Sequence, residues 1–446
     1  MDISKFIVLK ENVQMHITPE YCILINSESD VINFFNKESI TFFKECNGEK
    51  RFIDVVTENF SKEWERDKGS LKKFLLFLYQ NEWIDLLDKP FNKPIAMKGS
   101  SQYFVPIHAS IELTKKCNFD CFYCYNSHLN EDELSTAQWI QLLKRLAKSG
   151  MHTIELTGGE PTLRDDFWTI FESIKNDFKR IAILTNGSFD ETFFNNMLYY
   201  SDYIHAMNIS LDAVDEDLFN RMTSTKGYYQ KVLNNVNKLS DNGFLIRIAS
   251  VLTPENKKDI INIAKYVWEN KLGYFSFSPA LPFGKSKLRD WEKNDTNKDV
   301  FNIITLIKNT YPNIMQVYSK GQMDDRELMG NCGLAHKNIT VSPSGKIRAC
   351  TMLEENEDTI IGDCKTQSLE EIYSSPKMKF YQNLKSPKIN ECKSCRYAFF
   401  CVNCPTRPIA VMKENKKICH WGIENNLKKI YKDFEEFTEV NIFEKE

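Results

Sequence analysis

The chain is 446 residues long, 42% hydrophobic and 27% charged, with a formal net charge of −3. At about 150 residues per domain it holds two or three domains with cores of ordinary size. That charge gives no electrostatic reason to expect nucleic acid or an anionic membrane as a partner. The opening MDISKFIVLKENVQ lacks the basic-then-apolar layout of a secretory signal, and no apolar run is long enough for a bilayer span. The expected location is therefore cytoplasmic, a reducing compartment in which disulfides are disfavoured. There, thirteen cysteines, most of them clustered, read as metal ligands or catalytic groups. Cys22, Cys46 and Cys364 stand alone and read as small buried apolar residues.

Residues 1–88 have the pattern of a small separate domain. Two β-rich runs, Val13–Ile17 and Tyr21–Asn26, precede helical patterns at Val31–Asn36, Ile40–Cys46, Phe52–Phe60 and Leu71–Asn81. Asn47 and Gly48 read as a helix stop, and Trp83–Leu87 as a closing strand. Strands, a helical cluster and a wing predict a winged-helix shape. The polar, proline-containing stretch 89–104 reads as a linker.

From residue 105 to 297 strand and helix alternate. Strands are predicted at Ile107–Thr114, Thr153–Thr157, Ile181–Leu184, Ala206–Leu211, Leu245–Val251 and Tyr274–Ser278. Amphipathic stretches such as Thr136–Lys148, Phe167–Asp177 and Tyr229–Asn242 follow several of them. Six such units imply an α/β fold with a parallel sheet curved into a partial, TIM-like (β/α)6 barrel. A connecting helical segment spans 298–325, a cysteine-rich domain 326–425, and a charged helix is predicted over 426–446.

The first cysteine group, Cys117, Cys121 and Cys124, lies at the C-terminal end of the first barrel strand, where such barrels place their chemistry. Three thiolates on one loop can cap three irons of a cubane and leave the fourth open. The zinc alternative needs a fourth ligand, for which His128 is available. One strand later, Gly158, Gly159, Glu160 and Pro161 end the second strand. Two glycines let backbone approach a ligand, and a carboxylate beside exposed carbonyls suits a protonated amino group.

Together these motifs resemble the radical S-adenosylmethionine (SAM) superfamily, whose CX3CXΦC signature appears with Tyr123 as the aromatic residue and whose GGEP motif is Gly158–Pro161. The resemblance implies that SAM chelates the open iron through its amino and carboxylate groups and is cleaved to a 5′-deoxyadenosyl radical. It further implies cofactor contacts at Ser210 and Asp212, ending the fourth strand, and at Arg221 and Ser250. Read without the family, Ser210 and Asp212 suit a helix N-cap region.

The C-terminal cysteines are Cys332, Cys350, Cys392, Cys395, Cys401, Cys404 and Cys419. Read alone, Cys392, Cys395, Cys401 and Cys404 suit a zinc ribbon. The pattern resembles the SPASM extension of radical SAM enzymes, with a final CX2C in place of the usual CX3C. This implies two auxiliary [4Fe–4S] clusters, three in all. Cys392, Cys395, Cys401 and Cys419 would close the distal one, and Cys332, Cys350 and Cys404 would hold the nearer one. No cysteine lies in the upstream DDRELMGN stretch, residues 324–331. The nearer cluster therefore has either an open iron facing substrate or a site completed by Cys364 or water.

The first domain mixes acidic and basic residues without a basic recognition stripe, against a DNA-binding role. It resembles the PqqD-like elements that bind leader peptides by strand addition, with the docking edge expected at Val13–Ile17 to Tyr21–Asn26. The three parts in this order resemble the thioether-forming sactipeptide maturases of bacteriocin biosynthesis. The partners implied are a cysteine-containing ribosomal precursor peptide and a reductase or flavodoxin/ferredoxin electron donor. Other readings are a peptide modifier forming C–C or C–O links or epimerising residues, an anaerobic sulfatase maturase, and a non-catalytic zinc-binding peptide adaptor.

Overall fold

The computed structural model describes residues 2–18, 21–28, 31–59, 68–100, 102–126, 132–280, 284–288, 296–314, 330–392 and 394–444. His128 and residues 324–329 lie outside these. The chain divides into two compact units, with the boundary between Val105 and Pro106.

In the first unit β1 (Phe6–Leu9), β2 (Val13–Ile17), β3 (Tyr21–Asn26) and β4 (Val31–Asn36) come first, then the helix Lys37–Glu45 and β5 (Asn47–Arg51). The helices Phe52–Asn59 and Lys68–Gln80, β6 (Ile84–Leu87) and β7 (Met97–Lys98) complete it. The strands form two sheets, ordered β5-β1-β6 and β4-β3-β2-β7. Met15, Leu24, Phe35, Phe42, Phe43, Phe52 and Trp83 are buried in the core between them and the helices, together with Cys22 and Cys46.

Four expectations need correction here. Val31–Asn36 is a strand, not a helix: its Val, Ile and Phe side chains suit a pleated surface, and it pairs with β3 from Val31↔Asn26 to Asn36↔Tyr21. The helix starts only at Lys37, where Asn36 caps it by accepting from the Ser39 N–H at 3.2 Å. Asn47 and Gly48 do not simply stop that helix but open β5. The expected linker 89–104 packs on the first unit: β7 pairs with β2, Phe91 N–H donates to Gly48 O at 3.0 Å and Lys93 Nζ donates to Leu9 O at 2.9 Å. As a result β2 and β3 are interior strands. The expected docking edge at Val13–Asn26 is covered, and among the described residues the end strands of that sheet are β4 and β7.

The second unit contains β8 (His108–Glu112), β9 (Thr153–Thr157), β10 (Arg180–Thr185), β11 (Ala206–Ser210), β12 (Ile246–Leu252) and β13 (Tyr274–Pro279). All six run parallel in the order β13-β12-β11-β10-β9-β8. Buried apolar residues alternate along them, for example Ile154 and Leu156, or Met207 and Ile209, and those faces pack under the flanking helices. The helix Thr136–Ser149 shows how sharply the chain marks its ends. Ser135 and Gln138 form a capping box, and Gly150 closes it at φ 113°.

The sheet does not stop with the barrel. β14 (Asn338–Val341) pairs in parallel with β8, and β15 (Lys346–Arg348) and β16 (Ile360–Asp363) continue it antiparallel. The cysteine-rich segment thus shares one sheet with the barrel. Beyond it come the helices Leu369–Ser374, Pro376–Asn383, Ala398–Cys401 and Thr406–Asn415, then β17 (Lys417–Cys419) and the helix His420–Glu424. The long helix expected over 426–446 is absent among the described residues: Asn426 turns left-handed at φ 52°, two short 3-10 turns follow, and β18 (Thr438–Val440) pairs with β17.

Candidate functional site

The loop after β8 carries Cys117, Cys121 and Cys124, and neighbouring elements hold its backbone. Gly159 N–H donates to Thr114 O and Glu160 N–H to Lys116 O, both at 2.7 Å; Asp120 N–H donates to Thr223 O at 3.0 Å; and Lys285 N–H donates to Cys124 O at 3.0 Å. Glu133 accepts from Thr114 Oγ1 at 2.6 Å, from Lys115 N–H at 3.1 Å and from Arg164 at 3.2 Å. The glycine pair has a reason beyond cofactor access. A Cβ on Gly158, at φ 140°, would lie 2.4 Å from Thr114 O, and one on Gly159 would lie 2.2 Å from Lys116 O. The cysteine loop itself needs that space.

Cys117, Cys121 and Cys124 are each other's electrostatic neighbours. Burial pushes the Cys117 thiol up to about 11 and the Cys121 thiol higher still, where Asp212 adds to the effect. Phe119 N–H, at 3.4 Å, and Asn186 Nδ2, at 3.9 Å, approach Cys117 Sγ. Buried thiols of this kind stay protonated until a metal takes the proton's place. No three His, Cys, Asp or Glu side chains among the described residues converge on one metal ion. A cubane takes one thiolate per iron, so its ligands need not meet at a point, and this donor set suits it.

Glu160 is fully buried and accepts four hydrogen bonds, from Thr162 N–H and Oγ1, Thr185 Oγ1 and Asn186 N–H, at 3.1, 2.7, 2.8 and 2.7 Å. These tie the ends of β9 and β10 together, and only one of the four falls on Oε2. Tyr123 O–H donates to Asp212 Oδ2, while Asp212 Oδ1 accepts from Val251 N–H at 2.6 Å. Ser250 is buried, with its hydroxyl on Leu211 O. Ser210 ends β11 beside them. Pro161 starts the short turn that Glu160 caps. Arg221 is exposed in the last turn of the helix Glu216–Thr223, near the contact of that helix with the cysteine loop but outside the Tyr123–Asp212 network.

The remaining cysteines separate into two groups. Cys392, Cys395, Cys401 and Cys419 line one small cavity, with Pro387, Trp421 and Phe443 among its other walls. Burial pushes the Cys392 thiol up to about 11. Cys350 has Cys332 and Cys404 as neighbours, and its thiol is pushed up to about 12 by burial first and then by those two. Asn331 shapes the Cys332 turn: it is buried, donates to Leu384 O at 2.9 Å and accepts from Gly333 N–H at 2.8 Å. Cys364 is elsewhere, buried at the end of β16 with Arg145 and Asp363 as its charged neighbours. The zinc-ribbon set is not what lines the cavity: Cys419 does so in place of Cys404.

Two buried polar contacts join the first cysteine loop to the Cys350 hairpin. Glu112, at the end of β8, pairs with Arg348, at the end of β15; both are nearly inaccessible. Lys115 pairs with Glu355 at 3.4 Å, and Glu355 also accepts from Ser342 and Ser344 at 3.0 and 2.9 Å. Sequence reasoning missed Glu112, Arg348, Glu355, Asn186 and Asn331. Their signal was weak: they are polar residues outside any motif, with partners up to 240 positions away.

Residues 111–267 match the Radical SAM superfamily, and residues 332–396 match the SPASM iron–sulfur cluster-binding domain. The chain is a radical SAM enzyme carrying a SPASM domain, with [4Fe–4S] clusters and SAM as its cofactors. It is 24% identical over 448 residues to the antilisterial bacteriocin subtilosin biosynthesis protein AlbA of Bacillus subtilis, covering 95% of this chain and 98% of that protein. It is 26% identical over 190 residues to the sporulation killing factor maturation protein SkfB of the same organism, covering 42% and 45%. Its fold resembles Streptococcus suis SuiB bound to S-adenosylmethionine, with a TM-score of 0.62, 17% identity, and coverage of 89% and 95%. Among the described residues no helix is long and apolar enough to cross a membrane.

Proposed function

We propose that this enzyme installs thioether crosslinks, from cysteine sulfur to carbon, in a ribosomally made precursor peptide. The observation that carries the reading is the three-cysteine group Cys332, Cys350 and Cys404, tied by Glu112–Arg348 to the strand that leads into Cys117. Cys364, the one cysteine of the second unit outside the three groups, lies apart from it. When bound, the clusters and SAM supply a 5′-deoxyadenosyl radical at the first site, and an iron for thiolate binding and an acceptor for one electron at the second.

The chain's own residues orient these groups. Cys117, Cys121 and Cys124 would hold the first cluster, Glu160 would take the amino group of SAM, and Asp212 and Ser210 would serve its ribose. Cys332, Cys350 and Cys404 leave one iron of the nearer auxiliary cluster for a substrate cysteine. Cys392, Cys395, Cys401 and Cys419 close the other. The leader of the precursor adds as a strand beside β4, which lies at one end of its sheet among the described residues. AlbA, named for biosynthesis of the antilisterial bacteriocin subtilosin, and SkfB, named for maturation of the sporulation killing factor, support this reading, as does the structure of SuiB bound to precursor peptide SuiA. The electron donor is a reductase, flavodoxin or ferredoxin.

The test is co-expression with a cysteine-containing precursor, followed by mass spectrometry and thiol alkylation. The expected product is lighter by two hydrogens per crosslink and has lost one alkylatable thiol for each. A lighter product that keeps every thiol, or an unchanged precursor, overturns the reading.

A further inference from the structure

Tyr125 follows Cys124 directly and packs on Ala410, in the helix Thr406–Asn415 that begins two residues after Cys404. Met352, two residues after Cys350, and Phe400, just before Cys401, pack on the same alanine. One side chain therefore bridges the first cysteine loop and the polypeptide that carries the auxiliary cysteines. Its charged neighbours are Glu112, Arg348 and Glu155. All three are already engaged: Glu112 with Arg348, and Glu155 with Asn208 Nδ2. The Tyr125 hydroxyl has no hydrogen-bond partner among the described residues. A phenol so placed ordinarily finds a partner.

We propose that Tyr125 contacts the substrate: its O–H donates to a backbone carbonyl of the peptide where it passes between the Cys117–Cys121–Cys124 site and the Cys332–Cys350–Cys404 site. A neutral donor suits this task, because the carbonyl is the acceptor that every residue offers whatever its side chain. The contact would hold the reacting segment in register while both ends are engaged, an orientation effect on the bond-forming step.

This rests on the peptide-maturase reading, and the experiment separates the two. Wild-type enzyme with its precursor tests that reading through the mass loss. Tyr125→Phe, which keeps the ring and its packing, tests the tyrosine. Expected for Tyr125→Phe are wild-type iron and sulfide content, wild-type EPR signals of the reduced clusters, and a several-fold higher KM for the precursor. Crosslinks formed per 5′-deoxyadenosine released should fall several-fold. An unchanged KM together with an unchanged ratio overturns the proposal. Tyr125→Ala, read in the same way, removes the ring as well. If it alone shows the defect, the residue serves packing only, and the proposal fails.

Discussion

The hydroxyl of Tyr123, between two cysteines of the first loop, donates to the buried carboxylate of Asp212 just beyond β11. Asp212 also accepts from Val251 N–H, so one carboxylate links the cysteine loop to two neighbouring strands. Burial lifts its pKa from 3.8 to about 6, against the pull of those two hydrogen bonds.

That shift has a sign. Between pH 3.8 and about 6 the folded chain keeps a proton that the unfolded chain has released, so stability falls as pH rises through the window and the loss is complete above it. Two pKa units correspond to about 3 kcal/mol at most. Asp212→Asn should remove this slope. In cluster-free protein its urea midpoint should gain on wild type between pH 4 and 6, roughly the window set by linkage. A pH-independent difference would contradict the assignment.

Glu112 and Arg348 form a pair with side chains 3% and 4% exposed. Removing either partner leaves a buried charge, which costs about 3–5 kcal/mol. Glu112→Gln and Arg348→Met should each destabilise by that order, and the double variant by clearly less than the sum. Urea unfolding of the four species gives the cycle. Additive effects would mean that the two groups do not interact.

Gly159→Ala should fail at the cluster loop. Its Cβ would lie 2.2 Å from Lys116 O and 2.7 Å from Lys115 O, both backbone atoms that cannot yield without moving the loop. Iron content of anaerobically purified protein should fall by about one cluster, of the Cys-ligated kind, while the auxiliary signals persist. Full iron loading would show that the loop has more freedom than its hydrogen bonds suggest.

The cavity lined by Cys392, Cys395, Cys401 and Cys419 is distinct from the Cys350 group. Cys401→Ala should therefore lower iron from about twelve to about eight per chain, on four irons per cubane. Cys350→Ala should remove a different set, seen as a different missing EPR component. Loss of all auxiliary iron in either variant would mean that the two groups assemble as one.

The local chemistry is legible in the amino-acid sequence. The spacing of Cys117, Cys121 and Cys124 places three thiols on one loop whatever surrounds it, and Gly158–Pro161 marks the next strand end. The six barrel strands were legible because their apolar residues alternate and lie between helix-length amphipathic stretches. Strand β4 was not. Six residues such as Val31–Asn36 satisfy either period, and only pairing with β3 settles them. The linker was misread for a similar reason: polar residues with two prolines look loose until β2 and Gly48 bind them.

For the distant cysteines the residues themselves left the division open; a family resemblance implied one, and the packing of the unit shows how they are brought near each other. A CX2C pair is as suited to a zinc ribbon as to a cluster, and linear spacing says nothing about Cys419, fifteen positions beyond Cys404. The sheet that runs from β8 into β14 and β15 brings Arg348 to Glu112 across 236 positions and sets Cys350 beside Cys332 and Cys404. The helix Thr406–Asn415 and β17 return Cys419 to the cavity of Cys392, Cys395 and Cys401. Contacts of that kind depend on closing long loops through the packing of the whole unit, which no local pattern of residues encodes.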